Sequence, residues 1–70
     1  MTRYYSLERI HDALEDPPAW IALWTWDARP DTPDAEPQRS MRFATPEDAR
    51  EYCRLQGIVL FADHTFRRDS

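Results

Sequence analysis

The chain has 70 residues and is acidic, with 13 Asp and Glu against 9 basic residues and a formal net charge of −4. This length accommodates one domain, and the negative charge repels a phosphate backbone, so we expect no direct nucleic-acid binding. The longest apolar stretch, residues 19–26, is far shorter than the roughly 20 residues of a membrane-spanning helix. The N-terminal residues show no apolar segment typical of a secretion signal. We therefore expect a cytoplasmic protein without membrane insertion.

Domains of this size usually add a disulfide, a structural metal or a partner to a modest core. Cys53 is the only cysteine, which excludes an internal disulfide. With His11 and His64 it provides too few ligands for a zinc site, which normally takes four. The acidic residues of 27–38 lack the central glycine and terminal glutamate of a calcium-binding EF-hand loop. We expect no metal and no cofactor, which leaves a protein partner or a second copy of the chain as the remaining source of stability.

Residues 6–15 have the spacing of an amphipathic helix. Leu7, Ile10 and Leu14 recur at helical intervals, and Ser6 is a suitable N-cap. Two prolines at 17 and 18 would end the helix, because neither provides a backbone N–H. The pattern predicts an N-terminal helix.

Residues 19–26 are typical of a β-strand that is covered on both faces. Alternate positions place one apolar row on each side, with Trp20, Ala22, Trp24 and Trp26 opposite Ala19, Ile21, Leu23 and Thr25. Three prolines and four acidic residues in 27–38 predict an acidic, proline-rich loop.

The second half of the chain predicts a strand, a helix and a strand. Residues 39–44 alternate, with Met41 and Phe43 on one side and Ser40, Arg42 and Ala44 on the other. Thr45 and Pro46 predict the start of a helix that ends at Gly57, with Ala49, Tyr52 and Cys53 as its buried stripe. Residues 58–62 predict the last strand, with a possible continuation to Phe66, and 67–70 a frayed tail.

Together these elements predict a two-layer α+β domain, with an N-terminal helix followed by β-β-α-β and a three-stranded mixed sheet. The last two strands would be parallel neighbours joined by the helix.

Two short helices cover only one face of such a sheet, so one apolar row of the strand at 19–26 should remain on the other face. The polar Ser40 and Arg42 side of the next strand predicts the open face, and either the tryptophan row or the Ile21 and Leu23 row lies on it. Tryptophan and arginine are enriched at binding hot spots, so the predicted partner-binding residues are Trp20, Trp24, Trp26 and Arg42. The alternative is that the acidic loop or the C-terminal tail folds over this face.

No arrangement of residues predicts an enzyme. The single glycine excludes a glycine-rich phosphate loop, and Cys53 lies on the buried stripe of its helix, where a thiol is usually inert. Asp63 and His64 are adjacent, so a strand would direct them to opposite faces. The sequence favours a non-catalytic protein-interaction module, either an accessory subunit of a larger complex or a small acidic inhibitor, for example from a bacterium or a phage. The alternative is an acidic mimic of nucleic acid that occupies a basic groove.

Residues 20–62 resemble the 18 kDa accessory subunit family of respiratory complex I, known as iron–sulfur protein 4. The likeness lies in a tryptophan-led strand, an acidic proline-containing connection, the run from Met41 to Ala49, and Tyr52 followed by Gly57 and Ile58. The family's Gly-Trp segment before its second strand has no counterpart here. The resemblance implies a non-catalytic subunit that packs on a larger assembly and carries no cofactor itself.

Overall fold

The computed structural model describes residues 3–65, which form a small α+β domain of one mixed sheet and one helix. The strands β1, β2 and β3 span Tyr4–His11, Ala19–Trp26 and Pro37–Phe43. The helix α1 spans Pro46–Gln56, and the short strand β4 spans Ala62–Asp63. The four strands lie in the order β3-β2-β1-β4.

The N-terminal helix predicted for residues 6–15 is wrong, because β1 spans Tyr4–His11 and residues 12–15 lie in the connection to β2. All eight residues of β1 pair antiparallel with β2, from Tyr4 opposite Trp26 to His11 opposite Ala19. Leu7 is completely buried, whereas Leu14, which the helical spacing placed on the same stripe, lies in the β1–β2 connection and is 97% exposed. The antiparallel pairing with the apolar strand β2 therefore outweighs the helical spacing of Leu7, Ile10 and Leu14.

The predicted three-stranded sheet is also wrong in number and neighbours. The last strand pairs with β1, in parallel, through Ser6 opposite Ala62 and Leu7 opposite Asp63. Since β1 and β2 lie between β3 and β4, the two strands that flank α1 in sequence are at opposite edges of the sheet. Their shared direction agrees with the prediction, but they are not neighbours.

The core lies between α1 and one face of the sheet, which we call the helix face. It is built from Leu7 of β1, Ile21 and Leu23 of β2, and Ala49 and Cys53 of α1. Partly buried apolar residues close its margin: Tyr5, Phe43, Tyr52, Ile58 and Leu60. The alternation of β2 predicts two apolar rows without deciding between them, and the structure buries the Ile21 and Leu23 row under the helix. The helical spacing of α1 predicted the burial of Ala49 and Cys53 correctly.

Both ends of α1 are where the sequence places them. Thr45 has an extended backbone and its Oγ1 accepts a hydrogen bond from the Asp48 backbone N–H at 3.1 Å. Gly57 adopts the left-handed conformation, with φ of 69°, and its N–H donates to the last turn. The helix start and end are encoded locally, so they are predictable without knowledge of the fold.

We expect Thr45→Ala to lower the free energy of unfolding by about 1 kcal/mol, because the Asp48 N–H loses its acceptor. Urea denaturation followed by circular dichroism measures this difference. Thr32→Ala is a suitable control, since Thr32 is exposed in the β2–β3 connection. Identical midpoints for Thr45→Ala and the wild type would mean that this cap contributes nothing.

A polar cluster fastens β4 to the helix and to β1. Asp63 Oδ2 accepts a hydrogen bond from Arg50 Nε at 2.9 Å, and Asp63 Oδ1 accepts from the Thr65 backbone N–H at 2.9 Å. The Thr65 carbonyl accepts from Arg9 Nε at 3.1 Å. We call Arg9, Arg50, Asp63 and Thr65 the C-terminal clasp, because it ties the end of the described chain to two other elements.

Cys53 is buried in the core, and burial, followed by the negative charge of Asp63, raises the pKa of its thiol. The thiolate is the form that reacts, so both effects keep the side chain unreactive at neutral pH. We expect labelling by a thiol reagent such as iodoacetamide to be much slower in the native protein than in urea. Equal rates under the two conditions would contradict the buried position.

The predicted frayed tail at 67–70 and the extension of the last strand to Phe66 lie outside the described residues. Within 3–65, the single helix has 11 residues and is too short to cross a membrane.

Candidate functional site

The sheet face opposite α1 carries all three tryptophans, and we call it the tryptophan face. Directly opposed residues of antiparallel strands share a face, and the register pairs Ser6 with Trp24, Trp24 with Ser40, and Ala22 with Arg42. The helix face is fixed by Leu7 and Leu23, which pair with each other. The tryptophan face is therefore formed by Tyr4, Ser6, Glu8 and Ile10 of β1, the row Trp20, Ala22, Trp24 and Trp26 of β2, and Ser40 and Arg42 of β3.

Two of the indoles are held by hydrogen bonds to β1. Trp26 Nε1 donates to Ser6 Oγ at 2.8 Å, and Trp24 Nε1 donates to Glu8 Oε1 at 3.3 Å. Each bond runs diagonally across the strand pair, to the β1 residue two positions beyond the one directly opposite. Both indoles are half-buried, with the polar edge satisfied and apolar ring surface left open, as is common for tryptophan at interfaces.

The third indole is covered by an arginine of the same molecule. The Arg42 guanidinium carbon lies 4.1 Å from the centroid of the Trp20 ring, which is a close cation–π contact. Arg42 Nη2 also lies 3.9 Å from Oε1 of Glu15, which is in the connection between β1 and β2. Arg42 is thus held between an aromatic ring and a carboxylate at one end of the tryptophan row.

A groove with a volume of about 310 Å³ lies at the other end of the row. Its floor and walls are Ser6, Glu8, Trp24, Trp26, Pro30, Pro37 and His64. Pro30 lies in the β2–β3 connection and Pro37 is the first residue of β3, so the acidic loop and the strand that follows it form one rim of the groove.

The acidic loop is folded on itself beside the tryptophan face. Arg29 pairs with Asp31 at 3.1 Å and its guanidinium lies 5.5 Å from the Phe61 ring centroid. Phe61 in turn makes an edge-to-face contact with Tyr4. Asp27 accepts a hydrogen bond from Gln38 at 3.2 Å across the base of the loop. The loop is anchored at the margin of the face by these contacts, with the groove between its prolines and the indoles.

The three most exposed of the large apolar side chains lie outside the tryptophan face. Leu55 and Val59 project from the end of α1 and the segment after it, and Leu14 from the β1–β2 connection. They are scattered singly, which is normal for a small protein surface. The tryptophan row differs because three large aromatic rings share one strand face.

The four predicted site residues are therefore brought together on one face, with Arg42 against Trp20 rather than free. Sequence reasoning missed Ser6 and Glu8, because it assigned them to a helix. The signal available was the alternation of Tyr4, Ser6 and Glu8 with Tyr5 and Leu7, which is a strand pattern of polar and apolar rows. His64 lines the groove, while Asp63 belongs to the C-terminal clasp. These two adjacent residues therefore take part in different clusters, as predicted for neighbours in a strand.

Among the residues that the structure describes, no three or more His, Cys, Asp or Glu side chains are grouped to hold a metal ion. The groove contains one carboxylate, that of Glu8, and one imidazole, that of His64. We propose no catalytic reaction for them. In comparisons with protein-family models, curated proteins and solved structures, none matches this chain.

Proposed function

We propose that the protein is a non-catalytic interaction module that binds a protein partner through the tryptophan face. It would act as an accessory subunit of a larger complex, as the resemblance of residues 20–62 implies, or as a small acidic inhibitor. The observation that supports this most is the row of three indoles on the sheet face that α1 does not cover.

The state of the indoles also supports binding rather than a role in the core alone. Their N–H groups at Trp24 and Trp26 are already bonded within the domain, so a partner need only cover ring surface. Rings fixed before binding lose little conformational entropy when the partner arrives, which favours affinity. Aromatic residues of this kind dominate the free energy of many interfaces.

The distribution of carboxylates favours this function over a nucleic-acid mimic. A mimic presents acidic groups in one dense surface row. Here Glu8 lies on the tryptophan face, Asp27 and Asp31 on the loop, and Glu47 and Asp48 at the start of α1. The acidic groups are thus divided between both sides of the sheet.

The test uses Trp24→Arg, which replaces a central indole by a charged side chain next to Glu8. Partners are first captured from a lysate of the source organism with the wild-type domain, and the affinity of the identified partner is then measured by calorimetry. We expect Trp24→Arg to weaken binding by at least 2 kcal/mol, the value for a hot-spot residue. The variant should remain folded, because position 24 is not part of the helix-face core.

Leu55→Arg is the matched control, because Leu55 is exposed on α1, on the other side of the sheet. It should leave the affinity unchanged. Equal affinity for wild type and a folded Trp24→Arg domain, or an equal loss for Leu55→Arg, would place the interface elsewhere.

A further inference from the structure

We propose that the groove at Trp24 and Trp26 binds an extended basic segment of a protein partner, with an arginine or lysine side chain against the indoles and paired with Glu8. This rests on the proposed function and specifies the chemistry of the partner. The groove residues that carry the inference are Glu8, Trp24 and Trp26, with Pro30 and Pro37 as its rim.

Two positions of the tryptophan row can be compared: one has a cation of the same molecule over its indole, and the other does not. At Trp20, the cation is internal, because Arg42 reaches over the ring from β3. Arg42 lies opposite Ala22 and reaches the Trp20 ring diagonally. The β3 residue in the corresponding diagonal position to Trp24 is Pro37, opposite Trp26, and it carries no charge. The residues directly opposite Trp24, Ser40 and Ser6, carry none either. Trp24 thus lacks the internal cation that Trp20 has.

The charge of the groove selects a cation. Glu8 is exposed, accepts the Trp24 indole N–H through one oxygen, and forms no ion pair with any residue in 3–65. No arginine lines the groove, and the chain carries a net charge of −4. A guanidinium or ammonium group beside Glu8 would gain both a carboxylate partner and a cation–π contact with an indole.

The shape of the groove favours a peptide over a compact ligand. At about 310 Å³ it is at the small end of ligand pockets, enough for one long side chain with its flanking backbone. Its walls are indole and proline rings, which are flat and rigid. Aromatic grooves of this kind accept extended, proline-rich backbones at low entropic cost. An arginine or lysine within an extended segment fits both the charge and the walls.

The probe is a phage-displayed library of random decapeptides selected on the immobilised 70-residue protein. We expect the enriched peptides to contain arginine or lysine well above its frequency in the starting library. The strongest peptide is then synthesised with a fluorescent label, along with a version in which citrulline replaces arginine or acetyl-lysine replaces lysine. Fluorescence anisotropy gives the Kd of each peptide for each protein variant.

We expect the neutral peptide and the variant Glu8→Gln each to weaken binding at least tenfold. Glu47→Gln, which removes an exposed carboxylate on the opposite side of the sheet, should leave the Kd within twofold. The loss at Glu8→Gln should shrink at 1 M NaCl, since screening weakens the same ion pair in the wild type.

Enrichment of peptides without basic residues, whose binding is lost with Trp24→Arg, would overturn the basic-segment inference while leaving the tryptophan face as the interface. Selection of no peptide at all would likewise overturn it. A basic peptide bound equally by wild type, Glu8→Gln and Trp24→Arg would reject both this groove and the proposed function at this face. A basic peptide that depends on Glu8 and Trp24 supports the inference.

Discussion

Leu7→Ala is expected to lower the free energy of unfolding by about 2–5 kcal/mol, the range for truncating a fully buried leucine. Leu7 has no exposed surface, pairs directly with Leu23 and belongs to the helix-face core with Ala49 and Cys53. A domain of this size has a net stability of roughly 3–5 kcal/mol. The variant should therefore be largely unfolded at 37 °C, and thermal denaturation followed by circular dichroism measures the shift.

Leu14→Ala is the matched control, since it removes the same atoms at a position that is 97% exposed. It should change the stability by less than about 0.5 kcal/mol, as surface substitutions usually do. Comparing the two variants also tests whether residues 6–15 form a strand or a helix. If residues 6–15 formed the amphipathic helix that their spacing predicts, both leucines would lie on its buried stripe and both substitutions would be costly. Equal losses would therefore contradict β1.

Asp63→Asn is expected to lower the free energy of unfolding by about 2–3 kcal/mol, because it removes the charge that Arg50 pairs with in a partly buried site. The Asp63 side chain is 13% exposed and its carboxylate accepts from Arg50 and Thr65. The substitution loosens β4, the only strand on its side of β1 within residues 3–65. Urea denaturation at pH 7 measures the loss.

The pH dependence gives a second measurement on the same residue. Burial raises the pKa of Asp63. The hydrogen bonds from Thr65 and Arg50, together with the Arg50 charge, lower it by more than burial raises it, so the pKa lies below its ordinary value. The stabilisation is therefore complete above the unfolded pKa of about 4 and is lost as the pH falls through the folded value. Asp63→Asn should flatten this acid dependence.

Asp31→Asn is the control for the clasp. Asp31 also pairs with an arginine, Arg29, but both side chains are more than half exposed. Exposed ion pairs contribute about 0–1 kcal/mol, so little change is expected. If Asp63→Asn costs no more than Asp31→Asn, the clasp does not fasten β4.

The elements that sequence predicts well are those whose signals are local. Thr45 and Gly57 fix α1 through bonds to residues within a few positions, and the alternation of β2 gives both of its rows. The prediction fails at β1 because Leu7, Ile10 and Leu14 have helical spacing, which competes with the short strand alternation of residues 4–8. The pairing with β2 decides between the two. That pairing joins residues from His11 and Ala19 to Tyr4 and Trp26, which lie beyond the few positions over which local propensity acts.

The last strand shows the same limit. The apolar run 58–62 predicts a strand, yet only Ala62 and Asp63 pair with a neighbour. Ile58 and Leu60 instead pack beside the core as irregular chain, and Val59 between them is exposed. The apolar composition of residues 58–62 therefore predicts burial, but it does not predict which of these residues pair with a neighbouring strand.

The candidate site was predictable in part for a related reason. Alternation along β2 groups Trp20, Trp24 and Trp26 whatever the fold around them. Their partners depend on register: Glu8 and Ser6 reach the indoles only because β1 lies antiparallel beside β2. Arg42 was predicted as a contact for a partner, and its stacking on Trp20 follows from the register of β3, which no local pattern provides.

The position of β1 between β2 and β4 has a consequence for synthesis on the ribosome. The meander of β1, β2 and β3 joins near neighbours in sequence and can pair as it emerges. The clasp cannot, since its bond from Arg9 to Thr65 spans 56 positions, and such contacts form only after a large loop is closed. A chain that has reached α1 still lacks the segment that covers the outer side of β1. The outer edge of β1 is then available for pairing with another nascent chain, until the residues around Asp63 leave the ribosome and pair with its middle at Ser6 and Leu7.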